Sequence, residues 1–520
     1  MGVRRVIALG DTALLSSRAA HVAPAAAPAG ILDVVPAFGA VAVHFDPTVT
    51  AGDAVTEWLN RHQANDGEAS PSRLIELPVC YGDDLGPDLD AVAKHAGLSA
   101  DEVVRRHAGA EYVVGAVGFQ PGFGYLEGLP TELQTPRRAT PRTALPAGAV
   151  GIGGPYTGVY PQASPGGWNL IGQTPLVMFD EGRDEPSLLR YGDRVRFVPI
   201  DRDEFYRLAS EQRMTVTKPE PEIDRPLLRV VSPGVQTTVQ GLGRFGQQHL
   251  GVSPGGAMDT ASLRLANRLV GNAPETPVLE ATLVGPVLEA IEPVTLGVAG
   301  AVSTAHQVQL QPGQKLDLRR LVGGARAYVA FPGGVSGAIG KPLEPDTLLG
   351  SLDANATCRS TDAVLVGVGW RRALGGGVAT LGVLRGPQAE AFGVEAWRRL
   401  LNETYRVTPQ SSRMGVRLEG PALQVEQADD LPSQPVCHGA LQVPPGGQPI
   451  VLGADRQTLG GYPVMAVIAS ADWPALGQLA PGDPVRFVEI TLDAAIHLRQ
   501  QAERDLAIAA VGIQLQQLIL

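Results

Sequence analysis

The stretch Gly192-Asp193-Arg194-Val195-Arg196-Phe197-Val198-Pro199-Ile200 is answered far downstream by Gly482-Asp483-Pro484-Val485-Arg486-Phe487-Val488-Glu489-Ile490. Each copy is a tight turn followed by alternating residues, the pattern of a strand with one buried face. Two further marks precede each copy in the same order. Leu145-Pro146-Ala147-Gly148 leads to Gly166-Gly167-Trp168 in the first, and Val443-Pro444-Pro445-Gly446 leads to Gly460-Gly461-Tyr462-Pro463 in the second. A shared order of turns and closing strand predicts one barrel type used twice. Between the copies, the proline-rich segment 215–226 carries few large apolar groups and reads as the linker.

Outward from these repeats the chain divides further. Residues 1–75 alternate strand-like runs, Val3–Leu9 and Val34–Phe45, with a short helix over Gly52–Gln63, and predict a small α/β domain. Residues 76–214 open with Glu76-Leu77-Pro78-Val79-Cys80-Tyr81-Gly82, pass through two helices and continue as short strands between glycine turns, predicting a compact barrel. Ser99 and Glu102 form a capping box for the second of these helices. Residues 227–500 form a larger, mainly β module, expected to hold paired barrel subdomains, with helices over Asp259–Val270 and Glu395–Asn402. Residues 501–520 predict a final helix. The fold class is mainly β with α/β.

Composition narrows the function. The chain has 520 residues, enough for several domains, and three cysteines (Cys80, Cys358, Cys437), which exclude a disulfide scaffold. A net charge of −11 argues against a broad nucleic-acid footprint but leaves room for a small anionic substrate in a local basic pocket. No segment has the length and apolar density of a membrane span. Asp11 interrupts the apolar run near the start, so a secretion signal is not expected and a cytoplasmic location is.

Three familiar strings fail in context. Gly241-Leu242-Gly243-Arg244-Phe245-Gly246 matches a dinucleotide fingerprint, but no helix follows to face a pyrophosphate. Gly251-Val252-Ser253-Pro254-Gly255 matches a nucleophile elbow, but Pro254 opposes the required helix start. Gly340-Lys341 is followed by Pro342 where a P-loop needs Ser or Thr. The histidines contain neither HxH nor HExxH spacing, and no metal site is predicted. What remains is a set of glycine-dense turns carrying polar and aromatic residues. Phe119, Phe123, Tyr125, Thr157 and Trp168 lie in such turns of the first module, where freed backbone N–H groups and aromatic walls suit a small planar or carboxylate-bearing ligand. In the second module Gln240, Arg244, His249 and Asp259 precede a helix, and Arg413, Asp455 and Gln457 lie in later turns.

These residues fall in strings that resemble a known family. Gly118-Phe119-Gln120-Pro121-Gly122-Phe123-Gly124-Tyr125, Thr135-Pro136-Arg137 and Ser164-Pro165-Gly166-Gly167-Trp168-Asn169 resemble the B subunit of bacterial 5-oxoprolinase, over about residues 1–215. Gly255-Gly256-Ala257-Met258-Asp259, Ala266-Asn267-Arg268, Glu280, Ser412-Arg413-Met414-Gly415 and Ala454-Asp455-Arg456-Gln457 through Tyr462-Pro463 resemble the C subunit, over about 227–500. The chain is similar to the two subunits joined end to end, a family also known as allophanate hydrolase subunits 1 and 2 and akin to carboxyltransferase domains. It departs from the pattern at Ser16 to Ile31, at Gly154-Pro155-Tyr156-Thr157, and over residues 340–356, where Leu349-Gly350-Ser351-Leu352-Asp353-Ala354 replaces a Gly-Ser-Arg-Ser-Thr turn.

The resemblance implies a small α/β domain followed by cyclophilin-like barrels. It also implies ATP-dependent opening of 5-oxo-L-proline to L-glutamate, with ATP and Mg2+ as cofactors and a separate A-type 5-oxoprolinase subunit as partner. The expected catalytic residues are Asp455 and Asp259, to hold magnesium or steer water, and His107 and His249 as proton carriers. Arg244 and Arg413 are expected to clamp phosphate or the substrate carboxylate, and Phe119, Phe123, Tyr125, Thr157, Trp168, Gln457 and Tyr462 to line the substrate site in a cleft shared by both modules. Two alternatives are a carboxyltransferase component served by a separate biotin-carrying partner, and a non-enzymatic histidine-kinase regulator. A homo-oligomer stays open.

Overall fold

The computed structural model describes residues 6–17, 27–62, 72–213, 225–353, 355–356, 358, 377–425 and 431–519. Seven strands close the first barrel: Leu74–Tyr81, Tyr112–Val117, Gly124–Glu127, Ala149–Gly153, Tyr156–Val159, Asn169–Gln173 and Arg194–Pro199. Numbered along the chain, they run round the barrel as first, seventh, second, third, fifth, fourth, sixth and back to the first. Seven later strands, Ala379–Arg385, Tyr405–Val407, Gly415–Glu419, Ala440–Gln442, Ile450–Leu452, Val464–Ile468 and Pro484–Glu489, close the second barrel in the same circular order. In both, the first and seventh strands are parallel, whereas the other neighbours are antiparallel.

The repeated sequence is therefore the seventh strand of each barrel. Phe197 and Phe487 point inward from it, each into its own barrel core. The Gly-Gly-aromatic mark also falls at equivalent places, just before the sixth strand. The Pro-Gly mark does not: it precedes the fourth strand in the first barrel and the fifth in the second. A Pro-Gly pair suits any tight corner, so it carries no register.

Two units adjoin the barrels. Strands Val6–Ala8, Ala13–Ser16, Ala40–Phe45 and Ile31–Ala37 form an antiparallel extension of the first barrel's sheet, joined to it at Ala37 and Ala116. Helix Gly52–His62 packs Val55, Trp58 and Leu59 on that extension. In the second half, residues 226–350 form a four-stranded and a five-stranded sheet that share one apolar core including Leu228, Leu288, Leu279, Leu296 and Val329. The sequence predicts paired barrels in the second module, but among the described residues it closes only one; the two open sheets bury their faces against each other instead.

Local signals explain the helices. Ser99 accepts the Glu102 N–H at 3.2 Å and starts helix Ala100–Gly109, but the Glu102 carboxylate turns to Arg105 and Arg106, so only half of the capping box forms. Asp259 caps helix Thr260–Leu269. The final helix, Leu492–Ile519, starts earlier than the expected residue 501. The linker 215–226 lies outside the described residues except for Arg225 and Pro226. Among the described residues no helix is long and apolar enough to cross a membrane.

Candidate active site at the junction of the two halves

The two halves meet through polar and apolar contacts together. Leu9 and Ala13 pack with Val436, Cys437, Leu452 and Val467 of the second barrel. Asp11, buried, accepts Ser470 N–H at 3.0 Å and Ser470 Oγ–H at 2.5 Å. Gly122 N–H donates to Leu250 O at 2.8 Å. Gly251 is one of the tightest approaches: at φ 79° it passes so close to Gln120 that a Cβ would sit 2.3 Å from the Gln120 carbonyl oxygen. Only glycine meets both demands.

At the centre of this junction lies Asp33, whose side chain is 1% exposed. It accepts the N–H groups of Gly246 at 2.8 Å and Gln248 at 3.1 Å, and its other oxygen lies 3.8 Å from His249 Nδ1. The glycine string 241–246, which fails as a dinucleotide fingerprint, does offer a backbone amide to an anion, and that anion is Asp33. Burial alone would push the Asp33 carboxyl up, but His249, His44 and the Gln248 N–H outweigh it and hold it below its ordinary value. A buried ionised carboxylate thus stands behind a half-exposed imidazole. Neither Asp33 nor His44 is among the residues expected from the sequence. The available signal was a charged or titratable residue inside each of two apolar strands, Ile31–Ala37 and Ala40–Phe45.

The aromatic residues form a wall, not an open cup. Leu126 points into the first barrel's interior, whereas Tyr125 points outward into a separate core with Phe123, Tyr160, Trp168 and Val35. Ring centroids lie 4.9 Å apart for Phe123–Tyr125, 5.8 Å for Tyr125–Trp168 and 5.5 Å for Phe119–Phe123. Leu459 of the second half enters this core, so the aromatics seal the junction from the first side. Phe119 alone keeps 41% exposure and sits at φ 69°, a strained turn conformation for a side chain of its size.

Asp455 has a half-exposed carboxylate gripped by Arg413, with Nε at 2.7 Å from one oxygen and an Nη at 2.9 Å from the other. Arg413 also reaches Gly256 O at 2.6 Å and the Glu280 carboxylate. Glu280, buried, accepts in addition Met258 N–H at 2.8 Å and Tyr328 Oη–H at 2.7 Å. Burial works against the Arg413 charge, but Glu280 and Asp455 more than restore it.

Several expected site residues prove to have structural partners. Arg413 has its donors committed to this internal network, so it braces Asp455 and has little left for a ligand. Asp259 accepts Ser262 N–H at 2.9 Å, Ser262 Oγ–H at 2.6 Å and a Gln478 amide hydrogen at 2.8 Å, which leaves it a helix cap inside the core. His107 lies inside the first barrel, stacked on Phe197, bonded to Tyr81 and Thr157 at 2.9 Å, and burial holds its ring neutral with a pKa of about 3. Thr157 is tied there too, donating to Gly151 O at 3.0 Å. Arg244 is exposed and pairs with Glu181 across the junction at 3.2 Å, and Tyr462 is 45% exposed. Asp455, His249, Phe119 and Gln457 keep accessible surface.

Since Glu280 is fully buried, Arg413→Met leaves a carboxylate with fewer charge partners. The expected result is a loss of about 3–5 kcal/mol in chemical denaturation. A loss below about 1 kcal/mol would show that water reaches Glu280.

A cyclophilin-like, two-barrel chain with a polar site between its halves defines a class, and comparison with known proteins agrees. Residues 10–189 match the carboxyltransferase domain, subdomain C and D, and residues 250–489 match the carboxyltransferase domain, subdomain A and B. Over 170 residues the chain is 52% identical to the 5-oxoprolinase B subunit of Escherichia coli O157:H7, spanning 32% of this chain and 78% of that one. Over 300 residues it is 33% identical to the 5-oxoprolinase C subunit of Escherichia coli strain K12, spanning 54% of this chain and 96% of that one. The crystal structure of TTHA0988 superposes with a TM-score of 0.77 at 34% identity, covering 89% of this chain and 94% of the other. The chain belongs to the carboxyltransferase-domain family as a fusion of a B-type and a C-type 5-oxoprolinase half.

Proposed function

We propose that the chain is the fused B/C component of an ATP-dependent 5-oxoprolinase, an enzyme component that opens 5-oxo-L-proline to L-glutamate together with a separate A-type subunit. One observation carries this most directly: a half of each type contributes to a single junction where Asp33 and His44 of the first face His249 and Arg456 of the second. A site divided in this way gives a physical reason for fusing the halves, since a tether holds both parts at high effective concentration.

The lactam is resonance-stabilised and its amine is a poor leaving group, so water attacks readily only after the lactam oxygen is activated. ATP, as co-substrate, supplies that activation. His249 is the proposed base: Asp33 holds its Nδ1 side, which leaves Nε2 to take a proton from water. The aromatic wall around Tyr125 and Trp168 excludes bulk water and strengthens each charge inside. For magnesium the fit is poor as a resident ion. Among the described residues no cluster of three His, Cys, Asp or Glu side chains is placed to hold a metal, and Asp455 is already shared with Arg413. No step is assigned to it; magnesium is proposed only as the companion of ATP phosphates, with Asp455 as the carboxylate at hand.

Transfer of carboxyl groups from a biotin partner and regulation of a histidine kinase are not favoured, because the two halves match 5-oxoprolinase subunits over most of their lengths. A cytoplasmic location belongs to the same proposal. The test is to combine the purified chain with an A-type subunit, ATP, magnesium and 5-oxo-L-proline. Glutamate should form with both proteins present and not with either alone. No glutamate beside an active control overturns the proposal.

A further inference from the structure

Among the described residues three arginines of the second half are deeply buried, and two of them have carboxylates to answer their charge. Arg413 has Glu280 and Asp455, and Arg326 lies 3.6 Å from Glu280. Arg456 is 4% exposed and differs. Among the described residues its one side-chain hydrogen bond runs from an Nη to Gln248 Oε1 at 2.8 Å, no carboxylate lies within ion-pair distance, and its Nε is buried without a partner. Asp33 is near enough to be felt, but it forms no ion pair with Arg456: one oxygen is taken by Gly246 and Gln248, and the other faces His249 at 3.8 Å. A buried guanidinium with one neutral partner is unfavourable to keep, and an anionic ligand would offset that cost.

Along the same junction further polar atoms are buried and unpartnered: His44 Nε2, His438 Nε2 and Gln120 Oε1. They come from both halves. His44 lies beside Asp33 on the neighbouring strand, His438 stacks on Trp473 at 4.3 Å, and Gln120 lies on the turn that presses against Gly251. Both rings are held neutral, His44 to about 4 and His438 to about 3, by burial first and then by the Arg456 charge, which places them within its field. A neutral imidazole nitrogen either donates or accepts, and a glutamine oxygen accepts. Three such atoms suit the N–H and C=O of an amide, and the guanidinium suits a carboxylate bidentately.

We propose that the surroundings of Arg456 form the substrate subsite for a small cyclic amide bearing a carboxylate, with the carboxylate on Arg456 and the amide facing His44, His438 and Gln120. It rests on the 5-oxoprolinase reading for the identity of that amide. It replaces Arg413 and Arg244 as the carboxylate clamp and leaves them as brace and surface pair.

The test is calorimetric titration of the full chain, without ATP, against 5-oxo-L-proline, its carboxamide, 2-pyrrolidinone and inorganic phosphate. The acid should bind about 10- to 100-fold more tightly than the carboxamide or 2-pyrrolidinone, the span expected for a hydrogen-bonded charge. Arg456→Gln should remove that difference, and Arg456→Lys should restore part of it. Equal binding of acid and carboxamide by the unaltered chain overturns the proposal, whether or not the variant folds. So does absence of binding at millimolar acid, or tighter binding of phosphate that the acid cannot displace. The two proposals fail separately: selective acid binding without glutamate formation leaves the subsite standing and removes the reaction, whereas glutamate formation without acid selectivity does the reverse.

Discussion

Asp33→Asn should lower turnover by about 10²–10⁴-fold with little change in KM or melting temperature. The size follows from the geometry. One Asp33 oxygen accepts both backbone N–H groups, from Gly246 and Gln248, and the other faces His249 Nδ1. An asparagine keeps its oxygen on the two N–H donors and must then turn its NH2 toward Nδ1. That amide presents a donor where the carboxylate, 3.8 Å away, presents only acceptors, so the imidazole proton moves to Nε2 and the proposed base is lost. A merely structural Asp33 would show the opposite split, with lowered stability and unchanged turnover per folded molecule. The measurement is kcat and KM of the chain with its partner subunit across pH. Loss of the acid limb of the kcat profile together with the fall marks the dyad. A kcat within about threefold of the unaltered chain would remove Asp33 and His249 from the mechanism.

The fold was more legible than the site, for reasons visible in single residues. Gly192-Asp193 and Gly482-Asp483 start strands whose alternation encodes an inward Phe197 and an inward Phe487, so local pattern and tertiary role coincide. Tyr125 and Trp168 carry no such signal. Glycine-rich surroundings are compatible with a ligand cup or with close packing, and only the entry of Leu459 from the other half reveals a sealed core. Arg413 shows the same limit for charge. Its partner Glu280 is 133 residues away along the chain, and no spacing rule connects a turn arginine with a strand glutamate at that distance. Arg456 stands between Asp455 and Gln457, and nothing local sets it apart from either. Its distinction is an absent partner, which exists only once the halves are docked. Asp33 needs the same docking, because its N–H donors belong to residues 246 and 248.

Two buried histidines, His44 and His107, and the partly buried His438, whose Nε2 is shielded, make stability depend on pH in a direction that can be worked out. In the folded chain burial lowers His107 and His438 to about 3 and His44 to about 4, whereas in the unfolded chain each titrates near the ordinary value of about 6.5. Between about pH 4 and 6.5 the unfolded state therefore binds more protons than the folded one. Stability rises with pH across that window, is fully present above about 6.5, and is lost progressively as the pH falls toward the folded values. With three groups contributing, the slope near pH 5 approaches about 4 kcal/mol per pH unit. Buried acids pull the other way: Asp11 and Asp259 are raised by burial and take up protons in the folded state first, which softens the loss. The histidine slope is read between about pH 5 and 6.5, below the ordinary imidazole value and above the folded ones. Chemical denaturation at half-unit steps there should give an uptake of about two to three protons on unfolding, and His107→Gln, which keeps a polar partner for Tyr81 and Thr157, should reduce it by about one whatever its effect on stability at neutral pH. An uptake near zero would mean that these rings are protonated in the folded chain. His44 and His438 would then add positive charge beside Arg456, and the neutral, amide-facing surroundings inferred for that guanidinium would not exist.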